Sequence, residues 1–192
     1  LRYGRDLGPR TKLEALFIEK FDRAKPDFSA TAPRAAAANP QAVLVIGTGS
    51  AVVDGIKALR AAGVTGQLLT LSNNASGGFV KALGEHSRGV VVTQVFPSER
   101  AVTYPLVREA TTLAQDAKTA LTPAMVEGFT NAKVLVEALR RAGPNPTRAR
   151  LLEALETFKK FDLGGLSLSY TPDDHSGLEF TDLSIIGPDG FF

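Results

Sequence analysis

A glycine-rich turn stands where an α/β protein could hold a small polar ligand. Residues 47–50 (GTGS) follow an apolar run that predicts a buried strand, and they open a predicted helix. Free N–H groups and the helix dipole at such a position favour an anion or another hydrogen-bond acceptor. Thr48, Gly49 and Ser50 are therefore candidate ligand-binding residues. The alternative is a plain strand-to-helix turn in which Ser50 serves only as the helix N-cap.

A second polar cluster follows the next predicted strand. Residues 72–77 (SNNASG) carry short hydroxyl and amide side chains, which can donate and accept hydrogen bonds. The carboxyl ends of parallel strands meet at one edge of a sheet, where open α/β sheets bind their ligands. Ser72 and Asn73 therefore join the candidate site. Turn formation and helix capping, which use the same residue types, are the alternative.

The glycine-rich turn also looks like the start of a dinucleotide-binding fingerprint, but two features oppose a nucleotide. Val52 stands at the position of the third glycine, and the strand that ends near Ser72 offers no acidic residue for a ribose. A Rossmann-type enzyme is therefore the weaker alternative, and we expect no cofactor.

No catalytic or metal-binding constellation is evident in the sequence. The two histidines, His86 and His175, fall in different predicted loops and lack the spacing of metal ligands. His175 lies between Asp174 and Ser176, but a catalytic triad needs side chains that converge in space. The chain has no Cys, which excludes disulfides and thiolate sites. We predict a protein with no catalytic residue and no metal, which is not an enzyme.

The elements that position the two polar turns form an α/β region, followed by helices and then by a β-rich tail. Uninterrupted apolar residues at 42–46 (AVLVI) predict a strand that is buried on both faces. The other predicted strands cover residues 15–21, 68–71, 89–95, 165–170 and 178–186, with a turn over 172–177. The predicted helices cover residues 28–38, 51–62, 77–83, 103–116, 123–142 and 147–158. Alternating strands and helices indicate a parallel sheet flanked by helices.

Composition narrows the class of protein. The 192 residues are 44% hydrophobic and 22% charged, which is typical of a soluble globular protein. The formal net charge of +2 comes without a dense Lys/Arg block, so we expect no nucleic-acid partner. No apolar run approaches the 18 or so residues of a membrane span, and the first residues lack the pattern of a signal peptide.

Several short motifs occur in an order that resembles the C-terminal part of the leucine/isoleucine/valine-binding proteins. Residues 128–139 (GFTNAKVLVEAL) are similar to a long helix of that family. The other similar segments are residues 3–6 (YGRD), 26–30 (PDFSA), 39–43 (NPQAV), 89–96 (GVVVTQVF), 161–165 (FDLGG) and 174–177 (DHSG).

The resemblance implies a type I periplasmic-binding-protein fold, in which a ligand closes two lobes by a hinge motion. It assigns residues 1–95 to the C-terminal ligand-binding lobe, 96–162 to a helical segment of the first lobe, and 163–192 to the hinge crossing and closing strands. Gln94 and Phe96 fall on the crossing and are the predicted hinge. Most of the first lobe would precede Leu1, so we expect a fragment of a longer protein.

Three positions gain a role from the resemblance. Tyr3 falls on a ligand-packing tyrosine, Thr48 on a ligand contact, and Ser72 where branched-chain amino-acid binders place an acid for the ligand ammonium. A buried ammonium without a charged partner is costly. We therefore hypothesise a ligand without a free amino group, such as an aromatic or aliphatic carboxylate or an amide.

The function that the resemblance implies is that of the substrate-binding component of an ABC importer. Such a protein works in the periplasm or another extracytoplasmic space, captures a small amino acid or an organic carboxylate or amide, and delivers it to a membrane permease. A ligand-sensing regulator that uses the same clamp is an alternative function, because the sequence does not distinguish a regulator from a transport receptor. An interaction module without a small-molecule site is the third alternative.

Overall fold

The computed structural model describes residues 15–190 and divides the chain into two compact units. Within the described part, the first unit comprises residues 15–74, 78–91 and 185–190. The second unit comprises residues 75–77 and 92–184.

The first unit contains two complete strands of a four-stranded sheet. β1 (Ala42–Leu44) and β2 (Gln67–Thr70) are parallel. β3 spans Val91–Gln94 and β7 spans Asp182–Ile185, and the strands of the sheet lie in the order β1-β2-β3-β7. The chain leaves the first unit within β3 and returns to it at the end of β7. The helices that accompany the sheet are α1 (Thr31–Ala38), α2 (Ser50–Ala61) and α3 (Gly77–Leu83). The predicted α/β class, with a parallel sheet flanked by helices, is confirmed.

Helix α2 follows directly from its residue pattern. Val52, Ile56 and Leu59 recur at helical spacing and are buried, which gives the helix one apolar face. Its end is closed at Gly63, whose φ of 88° suits a residue without a side chain. The N–H of Val64 then donates to Leu59 O at 3.0 Å, as in a Schellman motif. The helix therefore begins at the end of the GTGS turn, and it ends at Ala61, one residue before its predicted end.

Two strand predictions in the first unit are wrong. Residues 15–21 form no strand, because they pack onto α1 instead of pairing with a described strand: Arg34 lies over Phe17 and pairs with Glu19. The segment at 42–46 is a strand only over Ala42–Leu44, and it is buried on one face. Val45 is 6% exposed, whereas Leu44 and Ile46 are 51% and 54% exposed. Alternate residues of a strand point to opposite faces, so an apolar run alone does not establish burial on both.

The second unit packs helices against a small antiparallel sheet. Its helices are α4 (Pro105–Asp116), α5 (Pro123–Ala142) and α6 (Arg148–Glu156), and its strands are β4 (Phe161–Asp162), β5 (Ser167–Thr171) and β6 (Asp174–Gly177). The strands lie in the order β4-β5-β6. The buried core comprises Leu106, Ala138, Phe158, Leu163, Leu166 and Leu168. Thr147 caps α6 by accepting a hydrogen bond from Arg150 N–H at 3.2 Å.

The β-rich tail differs from its prediction in three places. The strand predicted over residues 178–186 spans only Asp182–Ile185. The predicted turn over residues 172–177 is shorter, because Thr171 Oγ1 accepts from Asp174 N–H at 3.0 Å and β6 begins at once. The strand predicted from residue 165 begins at Ser167 instead. Gly164 and Gly165 precede it with φ of 102° and 92°, and both N–H groups bond Asp162 Oδ1 at 2.8 Å, so they form a turn.

Candidate functional site

Two polar loops lie side by side at one edge of the sheet in the first unit. The first loop is residues 47–50, after β1, and the second loop is Ser72–Asn74, a turn of 3₁₀-helix after β2. Parallel pairing continues to the loops, because Val45 N–H donates to Leu69 O at 2.9 Å. The structure thus brings both polar segments to the same edge.

Asn74 joins the two loops through its buried amide. The side chain is 3% exposed. Its Oδ1 accepts from Gly49 N–H at 3.1 Å, and its Nδ2 donates to Gly47 O at 3.2 Å. Nδ2 also lies 3.0 Å from Thr70 Oγ1, which in turn donates to Val45 O at 3.0 Å. The amide therefore binds a carbonyl on one side of Thr48 and an N–H on the other.

The first loop is also packed closely against apolar side chains of its own unit. A Cβ added at Gly47 would lie 3.1 Å from the ring of Phe21 and 3.1 Å from a methyl of Val52. Gly49 has φ 55° and ψ −129°, a conformation that suits glycine, and it is the N-cap of α2. The alternative role of Ser50 as N-cap is therefore wrong, since Ser50 is the first residue of the helix.

The predicted ligand-binding residues have different surroundings. Thr48, Gly49 and Ser50 are exposed on the first loop. Ser72 is half-buried, and Asn73 is exposed with its Nδ2 donating to Gly47 O at 3.0 Å. The amide of Asn73 is thus already hydrogen-bonded to the first loop. The ligand-binding roles of these five residues stay predictions. Tyr3 lies outside the described residues.

The predicted hinge residues lie in the second unit. Gln94 ends β3 and is 5% exposed, and its Nε2 has no hydrogen-bond partner among residues 15–190. Phe96 packs against the core of the second unit. Their role as a hinge stays a prediction.

Sequence reasoning missed Asn74 and Thr70 as residues that shape the site. Both are buried polar residues, at 3% and 0% exposure. Buried polar groups are nearly always paired, so their partners are the informative feature. The adjacent asparagines after β2 were the one available signal, and they did not reveal which amide faces inward.

The two loops carry no charge of their own, because residues 45–53 and 70–77 contain no Asp, Glu, Lys or Arg. The clearest electrostatic effects lie in the second unit. Hydrogen bonds from Arg140 and then Arg141 lower the pKa of Glu137 to about 2. Backbone N–H groups of Gly165 and Gly164 lower the pKa of Asp162. Around the two loops of the first unit, the groups available to a ligand are hydroxyls, amides and backbone groups. They include the N–H groups of the first turn of α2, which come before the first backbone hydrogen bond of that helix, from Val53 N–H to Gly49 O.

The histidines take no part in this edge of the sheet. His175 lies on β6 in the second unit, where Nε2 is 3.1 Å from Glu156 Oε1. His86 belongs to a 3₁₀ turn after α3. Within residues 15–190, no group of three or more His, Cys, Asp or Glu is placed to hold a metal ion.

The chain belongs to the periplasmic binding protein family, whose model matches residues 14–179. A substrate-binding periplasmic protein from Ralstonia solanacearum is 32% identical, with a TM-score of 0.72 over 86% of this chain and 48% of that one. An extracellular ligand-binding receptor from Verminephrobacter eiseniae is 33% identical, with a TM-score of 0.73 over 84% of this chain and 46% of that one.

A possible leucine/isoleucine/valine-binding protein from Rhodopirellula baltica is 29% identical, with a TM-score of 0.71 over 78% of this chain and 41% of that one. The chain thus spans about half the length of these relatives. The predicted resemblance to the leucine/isoleucine/valine-binding family is confirmed, and with it the type I periplasmic-binding fold. No curated protein sequence matches the chain significantly. No helix within residues 15–190 has both the length and the apolarity that a membrane span requires.

Proposed function

We propose that this chain is the ligand-capturing part of the substrate-binding component of an ABC importer. It takes a small amino acid or an organic carboxylate or amide and delivers it to a membrane permease. The observation that carries the proposal is the pair of polar loops at the sheet edge, which Asn74 joins and which present Thr48 and Ser50 to solvent. Family membership supports a solute-binding role and an extracytoplasmic location.

The absence of charge in the loops supports a narrower ligand class. Ser72 stands where the family resemblance expects a carboxylate, and neither loop has an acidic side chain. A ligand ammonium at this edge would lose water without gaining a charged partner, which is costly. A carboxylate or amide is better suited, because N–H groups at the start of α2 and the hydroxyls of Thr48 and Ser50 donate hydrogen bonds. The ligand that we propose therefore lacks a free amino group.

The roles of the remaining predicted residues belong to this proposal. Ser72 and Asn73 would contact the ligand beside the first loop, and Tyr3 would pack against it. Gln94 and Phe96 would form the hinge. The assignment of residues 1–95, 96–162 and 163–192 to a lobe, a helical segment and closing strands also stays a prediction.

Thermal unfolding of the full-length gene product tests the proposal. The panel pairs leucine and valine with their matching 2-oxo acids, because each pair differs only at the α-carbon, where a ketone replaces the ammonium group, and adds benzoate, short amides and NAD. Ligand at about 100 times its dissociation constant stabilises the folded protein by about 2.7 kcal/mol. We expect the oxo acids, benzoate or amides to raise the melting temperature. Stabilisation by the amino acids but not by their oxo acids would overturn the ligand class, and stabilisation by NAD alone would overturn the receptor.

A further inference from the structure

We infer that Asn74 is the positioning residue of the candidate site, and that an amide is required there to hold the first loop ready for a ligand. The inference rests on the proposed function, since it concerns the same loop. Asn74 itself lies beneath the loop, 3% exposed, and acts through Gly47 and Gly49.

The partners of Asn74 fix which way its amide points. Oδ1 lies 3.1 Å from the Gly49 N–H donor, while Nδ2 lies 3.2 Å from Gly47 O and 3.0 Å from Thr70 Oγ1. A flipped amide would set its NH₂ against an N–H and its oxygen against a carbonyl. Neither a carboxylate nor an alkyl group reproduces this pattern, because the position needs an acceptor and a donor together.

The hydrogen bonds of Asn74 affect ligand binding as well as the packing of the unit. Thr48 is exposed between two peptide groups that Asn74 holds, and Gly49 keeps a backbone conformation that few other residues adopt. A free loop with two glycines would sample many conformations, and a ligand would have to order it on binding. Holding the loop in advance moves that entropy loss from the binding step to folding, which strengthens binding.

Asn74 also decides which donors a ligand can use. Its Oδ1 already accepts from Gly49 N–H, so that group is withdrawn from the ligand. The remaining donors of the first loop are the hydroxyls of Thr48 and Ser50 and the N–H groups at the start of α2. The amide thereby sets both the shape and the donor pattern of the loop.

Asn74→Asp in the full-length protein gives a test with a pH signature. At pH 8 the introduced carboxylate faces the oxygens of Gly47 and Thr70 without a proton to donate. Affinity for 4-methyl-2-oxopentanoate, measured by calorimetry, should fall about tenfold to hundredfold, which is the effect of one unpaired buried group. Burial raises the pKa of such a carboxyl, so at pH 5 it regains its proton and donates to Gly47 O. Affinity should then recover.

Val64→Ala is the matched control, because Val64 is buried at 4% exposure in the same unit but beyond the far end of α2. We expect it to lower stability while its affinity, and that of the wild type, changes little between pH 8 and pH 5. Unchanged affinity of Asn74→Asp at pH 8 would overturn the inference. So would an equal loss at both pH values that Val64→Ala also shows, because the effect would then be general destabilisation.

Hydrogen exchange separates a failure of this inference from a failure of the proposed function. If the wild type binds no member of the carboxylate and amide panel, the proposed function fails. The amide proton of Gly49, followed by NMR, then decides the role of Asn74. It should be protected in the wild type and exchange at least tenfold faster in Asn74→Leu, which removes the oxygen that accepts from it, as expected when one buried hydrogen bond is lost. Equal exchange in both proteins would overturn the inference.

Discussion

The guanidinium of Arg141 lies over the ring of Phe158, with its carbon 4.3 Å from the ring centroid. Phe158 is fully buried in the core of the second unit, so the arginine forms the cover of that core. Arg141 also bonds Glu137 at 2.7 Å and Thr157 Oγ1 at 3.0 Å. Because its planar guanidinium stacks on a ring and donates several hydrogen bonds, Arg141 contributes packing and hydrogen bonding as well as charge.

Arg141→Lys should therefore destabilise the protein although it keeps the charge. Lysine retains the attraction to the ring but loses the planar stack and the bonds to Thr157, so we expect a loss of about 0.5–1.5 kcal/mol. Arg140→Lys is the control, because Arg140 pairs with the same Glu137 but is 74% exposed and contacts no ring within the described residues. Urea unfolding of both variants measures the difference. Equal effects would contradict the covering role of Arg141.

The hydrogen bonds of Glu137 should make the stability of the protein depend on pH in the acid range. Hydrogen bonds from Arg140, and next from Arg141, lower its pKa from 4.5 to about 2. The folded protein therefore holds the ionised form more firmly than the unfolded chain does. This contribution to stability is present above the unfolded pKa and is lost as the pH falls through the folded pKa.

Glu137→Gln should accordingly lose stability relative to the wild type at pH 7, and the difference should shrink between about pH 5 and pH 2. Glu127→Gln, an exposed position on the same helix, is the control and should track the wild type throughout. Unfolding free energies at several pH values measure both. A pH-independent difference for Glu137→Gln would contradict the ion pairs.

Elements with strong local signals were predictable from the sequence. The predicted bounds of α3 and α5 coincide with the structure, because apolar residues recur at helical spacing and Pro123 marks the start of α5. Residues 15–21 have equally apolar residues, yet they form no strand. A strand needs a partner for its hydrogen bonds, and no local pattern supplies that information.

The candidate site was predictable in place but not in detail. Two polar turns after neighbouring parallel strands indicated the edge of the sheet on which the loops lie. The inward amide of Asn74 was not evident, because its partners Gly47, Gly49 and Thr70 lie up to 27 residues away along the chain. Asn73 and Asn74 are the same residue type, and only the fold decides which of them is buried.

The backbone at Gly49 gives a prediction that separates conformation from packing. A Cβ at Gly49 would meet nothing within 4 Å, but its φ of 55° with ψ of −129° is strained for any other residue. Gly49→Ala should therefore cost about 1–3 kcal/mol from backbone strain alone. Gly77→Ala is the control, because Gly77 also has open space but begins α3 without a positive φ. Chemical denaturation should show little or no loss for Gly77→Ala, and equal losses would contradict the strain.

The buried amide of Gln94 should be a source of instability within this chain. Its Nε2 has no partner among residues 15–190, and an unpaired buried donor costs about 1–3 kcal/mol. Gln94→Met keeps the volume and removes the donor, so we expect a more stable protein. Gln67→Met should instead lose stability, because Gln67 Nε2 donates to Leu68 O at 3.1 Å. Thermal unfolding of residues 1–192 compares them, and destabilisation by Gln94→Met would contradict this prediction.

Ser72 should decide whether the site prefers a ligand with or without an ammonium group. Ser72→Glu places a carboxylate at the start of the second loop, where the proposed ligand lies. A charge-assisted hydrogen bond contributes about 1.5–3 kcal/mol, so leucine should gain about tenfold or more in affinity while its oxo acid is repelled. Thr65→Glu adds the same charge at an exposed position before β2, at the opposite end of that strand, and should leave the preference unchanged. Calorimetric titration of the full-length variants with leucine and 4-methyl-2-oxopentanoate measures the ratio. If Ser72→Glu leaves that ratio unchanged, Ser72 does not face the ligand, and the argument from the missing carboxylate fails with it.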